Sequence, residues 1–273
     1  MAVNYRKYYL PILIWSIFSL SGCGNDIFGM YASTDLDTRW QARNTFNFLS
    51  PNDLNFSLGD TYSFIVLTDT HIYNGNTHGL ERLKDAIDDD VKFAVFTGDI
   101  TQNGNRGDVK AFIEIARSLG VPCYPVLGNH DIFFGHWPEW KELIGSTCYR
   151  IDGGDSTFLI MDSANAYFGA KQLDWLEDEL RKTTGRVFVF SHNNLFMENL
   201  KDIRQLTDTR ERARVISLLK GRCDGMFMGH AHTRMIREFG GVAYIAIEDY
   251  RENAAYCRVW VSQDNVRWEF RKL

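Results

Sequence analysis

Short apolar runs alternate with amphipathic stretches along most of the chain. Tyr62 to Thr68, Phe93 to Thr97, Cys123 to Leu127, Thr157 to Met161, Arg186 to Ser191 and Gly225 to Gly229 are rich in aliphatic and aromatic residues and too short for helices, so each predicts a strand. Between them, Gly79 to Asp88, Val109 to Leu119, Lys171 to Arg181 and Thr209 to Lys220 carry apolar residues at helical spacing, which makes an α/β alternation. Toward the end, Thr233 to Phe239, Val242 to Ile247, Tyr256 to Val261 and Val266 to Arg271 follow one another with no helical stretch between them and predict an antiparallel sheet. Ahead of all this the chain is polar and aromatic by turns. A helix is expected near Asp35 to Phe46, where Leu36, Trp40 and Arg43 share a face. That segment reads as an extension strapped across the domain, without chemistry of its own.

Composition narrows the picture. At 273 residues and 45% hydrophobic, the chain can bury a full core as one catalytic domain. Five prolines, no low-complexity tract and no repeat exclude a long linker and a solenoid. The formal net charge is −5, and removal of the first 22 residues, which carry Arg6 and Lys7 and no acid, lowers it to −7. A dedicated nucleic-acid surface is not expected from this balance. A small anionic substrate remains compatible, because a bound metal dominates its local field.

The N-terminus has the three parts of a secretory signal: Arg6 and Lys7, an apolar run from Leu10 to Leu20, then Leu20-Ser21-Gly22-Cys23. The run is shorter than the roughly 20 apolar residues that span a bilayer. Its last four residues resemble the lipobox of bacterial lipoproteins, which implies acylation of Cys23 and membrane attachment. An ordinary cleaved signal or a buried N-terminal helix is the alternative. The expected division is a signal peptide over 1–22, an extension over 23–60 and a catalytic domain over 61–273, on a protein exported to the cell envelope and lipid-anchored there. Cys123, Cys148, Cys223 and Cys257 lack C-x-x-C spacing and are expected to be small buried hydrophobes rather than metal ligands.

The polar residues with chemistry fall where the predicted strands end. Phe64-Ile65-Val66-Leu67 runs into Asp69-Thr70-His71, Phe93-Ala94-Val95-Phe96 into Gly98-Asp99, and Val126-Leu127 into Gly128-Asn129-His130-Asp131. Val187-Phe188-Val189-Phe190 runs into Ser191-His192, and Met226-Phe227-Met228 into Gly229-His230-Ala231-His232. In α/β sheets that edge is where ligands bind. Imidazoles and carboxylates without thiolates suit a catalytic zinc, iron or manganese rather than a structural zinc.

Asp-x-His, Gly-Asp, Gly-Asn-His-Asp, a lone His and Gly-His-x-His, in this order from about Tyr62 to about His232, resemble the calcineurin-like metallophosphoesterase family. The resemblance implies a four-layer α/β/β/α sandwich, two mixed sheets flanked by helices, with the last four strands completing the second sheet. It implies two divalent metal ions (Mn, Fe or Zn): Asp69, His71, Asp99 and His232 on one, Asp99, Asn129, His192 and His230 on the other. On this resemblance Asp99 would bridge them, as a carboxylate can because its two oxygens can each face a cation, and Asn129 would offer a neutral oxygen. His130 is implied to stabilise the transition state or protonate the leaving oxygen. Asp131 beside it is expected to hold the imidazole in its useful tautomer. The implied reaction is hydrolysis of phosphodi- or phosphomonoesters by a metal-activated hydroxide attacking phosphorus in line with the departing alkoxide.

Departures from relatives are informative. Purple acid phosphatases begin with Asp-x-Gly and place a Tyr ligand three residues after the Gly-Asp aspartate; here the residues are Asp69-Thr70-His71 and Gln102, so an iron–tyrosinate site is not expected. Gly98-Asp99-Ile100-Thr101-Gln102-Asn103-Gly104 looks more like the cyclic-nucleotide phosphodiesterase branch. About sixty residues separate Asp131 from His192, too few for a large cap, so the site is expected to be shallow and open. Phe133-Phe134-Gly135-His136-Trp137 either walls the substrate site or packs against a neighbouring loop. Asn193 and Asn194 are substrate contacts or turn formers, and His78 a loop residue. Two further readings stay open: a lipid-anchored metal-binding or scaffold protein without turnover, and a nuclease of the same superfamily.

Overall fold

The computed structural model describes residues 34–196 and 208–273. The expected signal and Cys23 lie outside the described residues.

The apolar runs form strands because both of their faces are covered. Strand β2, Tyr62–Leu67, is buried at every position. Phe64 and Val66 point to the space between two sheets, while Ile65 and Leu67 point to the flanking helices. Such strands read as continuous apolar runs rather than as alternation.

Strand β1, Asn55–Phe56, begins a seven-stranded sheet with β5 (Tyr149–Gly153), β6 (Ser156–Ile160), β7 (Arg186–Phe190), β8 (Gly225–Met228), β9 (Met235–Phe239) and β10 (Val242–Ala246), in the order β1-β5-β6-β7-β8-β10-β9. Strands β3 (Val91–Thr97), β4 (Cys123–Val126), β11 (Ala255–Val261) and β12 (Val266–Lys272) join β2 in a five-stranded sheet ordered β12-β11-β2-β3-β4. Both sheets are mixed. Facing side chains fill the gap between them with rings: Phe64 stacks on Phe93 at 4.9 Å and meets Phe158, Phe188, Phe190 and Phe227 edge-on.

Helix α1 is Leu36–Gln41, α2 is Pro51–Leu54 and α3 is Arg106–Ser118. Helix α4 is Trp137–Leu143, α5 is Gly169–Lys182, α6 is Thr209–Leu219 and α7 is Tyr250–Asn253. Helix α3 covers the outer face of the five-stranded sheet through Val109, Phe112 and Ala116. Helices α5 and α6 cover the other sheet through Leu173, Leu176, Leu180, Val215 and Leu219. The result is the expected four-layer α/β/β/α sandwich.

Three local expectations are corrected. The last four strands do not complete one antiparallel sheet: β9 and β10 form a hairpin on the seven-stranded sheet, whereas β11 and β12 belong to the other. Helix α7 carries the chain between the sheets, capped by Asp249 and closed by Ala254 in the left-handed region. The stretch expected as a helix from Gly79 is a 3₁₀ helix, Leu80–Ala86. Helix α4 and strand β5 were not expected. The first is a short helix seated by two buried tryptophans, Trp137 and Trp140. The four cysteines in the described residues are buried and unpaired.

Candidate metal centre

Strands β2, β3 and β4 run parallel, as do β7 and β8, so the loops leaving their C-terminal ends collect at one edge of the sandwich. Those loops carry Asp69 and His71, Asp99, Asn129 and His130, His192, and His230 and His232. They are packed so closely that two motif glycines have no room for a side chain. A Cβ on Gly98, itself at φ 91°, would run into the His192 imidazole, and one on Gly128 would run into the backbone of Asp99.

The structure brings all seven expected ligands together. Nε2 of His232 lies 3.0 Å from Oδ1 of Asp69, and Nε2 of His71 lies 3.7 Å from the same oxygen and 4.0 Å from Oδ2 of Asp99. On the other side, Nε2 of His192 is 3.2 Å from Oδ2 of Asp99 and 3.2 Å from Oδ1 of Asn129, with Nδ1 of His230 at 3.1 Å. Among the described residues three groups have converging ligand atoms: Asp69, His71 and His232; His71, Asp99 and His130; and Asp99, His192 and His230. Asp99 belongs to two of them.

The second oxygen of each carboxylate is engaged by the protein. Oδ2 of Asp69 accepts from the Thr68 hydroxyl at 2.6 Å and the His230 N–H at 3.0 Å, while Oδ1 of Asp99 accepts from the His130 N–H at 2.8 Å. Asp69 therefore turns Oδ1, and Asp99 turns Oδ2, toward the histidines.

Hydrogen-bond chemistry shows that cations fit here. The Nδ1–H of His192 donates to the Thr97 carbonyl at 2.9 Å, which leaves Nε2 as the ring atom turned to the centre. Nε2 faces two oxygens that are acceptors, Oδ2 of Asp99 and Oδ1 of Asn129. Two buried oxygen acceptors beside this nitrogen call for a positive charge among them, either a proton on Nε2 or a cation in its place. Neither ring nitrogen of His71 has a hydrogen-bond partner, so Nε2, which points at both carboxylates, is free to bind a cation.

Electrostatics point the same way. Burial pushes the Asp69 carboxyl up, but the hydrogen bond with His232 and the nearby imidazoles of His71 and His192 hold it well below the ordinary range. Burial likewise opposes ionisation of Asp99, and His192 and His130 overcome it, so its carboxyl also lies below normal. Burial would lower His192, yet Asp99 raises it to about 9, and Asp69 raises His232 against burial. The two carboxylates attract positive charge strongly.

Five of the seven residues sit in the left-handed backbone region: Asp69 at φ 53°, His71 at 45°, Asp99 at 49°, His230 at 65° and His232 at 54°. Asp and His are among the few non-glycine types that tolerate it, at a cost of about 1–3 kcal/mol each.

The expectation for Asp131 is corrected. Its carboxylate turns away from His130 and accepts from the N–H groups of Thr101 at 2.8 Å, Gly128 at 2.9 Å and Ile100 at 3.3 Å, and from the Thr101 hydroxyl at 3.0 Å. It ties the Asp99 loop to the Asn129 loop. Burial and the nearby Asp99 push its pKa up to about 7 against those four donors. The tautomer of His130 is set instead by Gln102: Nδ1–H donates to the Gln102 carbonyl at 2.8 Å, leaving Nε2 to face Oδ2 of Asp99 at 4.0 Å. Burial lowers His130, with Asp99 acting in the opposite direction.

The matching model is the one described as calcineurin-like phosphoesterase, and it covers residues 62–234, more than half of the chain. The chain belongs to this family. Calcineurin-like phosphoesterases are metal-dependent. It is 26% identical over 161 residues to a Fibrobacter succinogenes protein named "Probable cyclic nucleotide phosphodiesterase", and 31% identical over 157 residues to an Arcobacter nitrofigilis protein named "Probable glycerophosphodiester phosphodiesterase GpdQ". These matches take in 54% and 50% of this chain and span only 59% and 55% of the relatives. Among solved structures, a dimetal phosphatase from Danio rerio is similar with a TM-score of 0.63 at 14% identity, covering 77% of this chain and 96% of that one. A purple acid phosphatase from yellow lupin seeds reaches 0.61 at 13% identity, covering 79% of this chain and 52% of its own. Both likenesses concern the fold.

Several residues around the centre escaped the sequence. Ser163 at the end of β6 accepts from the N–H groups of His192 at 3.1 Å and Asn193 at 2.9 Å, fixing the His192 loop. Its neighbour Asp162 is held by the fully buried Arg39 of helix α1 at 2.6 and 2.9 Å, so the N-terminal strap braces the centre. Arg251 donates from its backbone to the Asp69 carbonyl at 3.2 Å and from Nη1 to Gln102 Oε1 at 3.1 Å. Ser163 and Arg251 stand in no recognisable spacing, and Arg39 occupies a helical face that reads as ordinary amphipathicity. Asn194 is a turn former, accepting from the Phe196 N–H at 3.0 Å. His78 lies in a loop, with φ 53°.

Proposed function

We propose that the chain is a dinuclear metallophosphoesterase that hydrolyses phosphodiesters, and exposed phosphomonoesters, with Asp69, His71, Asp99 and His232 holding one divalent ion and Asp99, Asn129, His192 and His230 the other. The observation that carries this reading is the convergence of imidazole nitrogens, carboxylate oxygens and the Asn129 amide oxygen around Asp99 Oδ2. Asp99 would serve both ions; its Oδ1 accepts from the His130 N–H, and its Oδ2 is the oxygen turned to His192 and His71. Divalent cations bound there supply positive charge against the phosphoryl oxygens and acidify water at neutral pH. Asn129 contributes an oxygen without adding negative charge. His130, with Nδ1–H fixed on Gln102, holds Nε2 toward the reacting centre; as the imidazolium it would pass the Nε2 proton to the leaving oxygen and return to its neutral Nδ1–H tautomer. The names of the two curated relatives favour diesters.

The test is metal analysis of the chelator-stripped protein reconstituted with Mn²⁺, Fe²⁺ or Zn²⁺, followed by hydrolysis of bis(4-nitrophenyl) phosphate. Two ions per chain, with turnover lost on chelation and in Asp99→Asn, are expected. Full turnover with a single ion, or metal-free activity, would refute the dinuclear reading. Metal uptake without turnover across mono- and diesters would favour the binding protein instead.

We also propose that Cys23 is lipidated and attaches the protein to a membrane of the cell envelope, supported by the Leu20-Ser21-Gly22-Cys23 pattern behind a cationic and apolar start. Metabolic labelling with an alkyne fatty acid should mark the protein and fail in Cys23→Ala; equal labelling of both sinks the idea.

A further inference from the structure

Among the described residues four large hydrophobic side chains are exposed, and two of them stand on loops of the metal centre: Tyr73, two residues after His71, and Phe134, four after His130. Phe134 is the more unusual. It is 70% exposed and sits at φ 55°, followed by Gly135 at 89°, so a bulky apolar residue occupies a backbone region that disfavours it and gains no burial in return. The rest of this loop is anchored, Trp137 in the core and His136 against Glu139 at 3.4 Å.

What Phe134 does is extend a row of rings. Phe133 lies against the His130 imidazole, centroids 4.3 Å apart, and Phe134 meets Phe133 edge-on at 5.9 Å. The row runs from the proton-transferring imidazole out to solvent. Because His130 serves the leaving oxygen, the leaving alcohol departs along this wall. An exposed ring there has one evident use, a face for another flat ring.

We infer that Phe134 is a specificity-determining residue, and that the preferred substrates are phosphate esters whose leaving alcohol carries a planar aromatic ring, as a nucleoside or an aryl alcohol does. The inference rests on the phosphoesterase reading for the direction of departure. Its test is chosen to separate the two.

Calorimetric binding of adenosine 5′-monophosphate, phenyl phosphate and glycerol 3-phosphate to the metal-loaded protein compares ligands that share a phosphate and differ in the ring. Wild type should prefer the two ring-bearing ligands, a larger preference for the nucleotide marking a nucleobase as the natural occupant and equal preference marking any aryl group. In Phe134→Ala that preference should fall about 5- to 50-fold, and Phe134→Trp should keep it. The kcat/KM ratio of bis(4-nitrophenyl) phosphate to glycerophosphocholine should fall with it. Unchanged ring preference in Phe134→Ala, with turnover intact, overturns the wall and spares the phosphoesterase. Lost ring preference in a protein that hydrolyses nothing overturns the phosphoesterase and spares the wall.

Discussion

Replacing Asp131 with alanine removes a carboxylate that satisfies three backbone N–H groups and one hydroxyl in a buried place. Each orphaned donor costs about 1–3 kcal/mol, but the bond from Ile100 is long, at 3.3 Å, and water can enter the space left behind. Loss of the repulsion from Asp99, which with burial raises the Asp131 pKa to about 7, returns part of the cost. A net destabilisation of about 3 kcal/mol follows, equivalent to a drop in Tm of about 6–12 °C for a chain of this size. Because the freed groups belong to the loops of Asp99 and Asn129, metal content should fall as well. Guanidinium unfolding followed by tryptophan fluorescence, with metal per chain measured on the same preparation, reads both effects. Were Asp131 a partner of His130, the variant would keep its stability and its metal and lose only kcat. That outcome would refute the reasoning.

Other perturbations reach different parts of the fold. Ser163→Ala leaves the N–H groups of His192 and Asn193 without an acceptor and should weaken metal binding about 10- to 100-fold with little change in secondary structure; unchanged affinity in a metal titration would contradict this. Phe64→Ala opens the gap between the sheets where five other rings meet, and should cost about 3–5 kcal/mol in denaturant unfolding. Asp88 receives both terminal nitrogens of Arg258, at 2.6 and 2.7 Å, and these bonds lower its pKa. A depressed carboxylate contributes stability above its unfolded pKa and loses it as pH falls through its folded one. Asp88→Asn should therefore be less stable by about 1 kcal/mol at neutral pH, and the gap should close in acid below the ordinary carboxylate range; a gap that widens in acid would reverse the sign.

Much of the sandwich is legible in the sequence because its central strands are covered on both faces. A run such as Phe64-Ile65-Val66-Leu67 has no other comfortable place. The expected ligands are legible for a related reason: Asp and His directly after buried strands stand at the sheet edge whatever the details. Partner choice is harder to read. The four terminal strands have the right pattern, but nothing in it says that two belong to each sheet, since a strand's periodicity records what its faces touch and not which edge it pairs with. Asp131 shows the same limit at the site. Its place beside His130 suggests a tautomer partner, whereas backbone geometry turns its side chain to donors on another loop. Arg39, Ser163 and Arg251 act through contacts across 123, 29 and 149 residues, which local spacing does not encode.

The left-handed backbone at Asp69, His71, Asp99, His230 and His232 makes the metal centre the stretch where the chain agrees least with itself. Glycine at position 230, or asparagine at 99, would suit the local conformation better than the residues present. On the proposed function, robustness and catalysis therefore pull these positions in opposite directions. A descendant released from selection for turnover would shed its ligands early and become sturdier as it did so, keeping the sandwich long after the chemistry had gone.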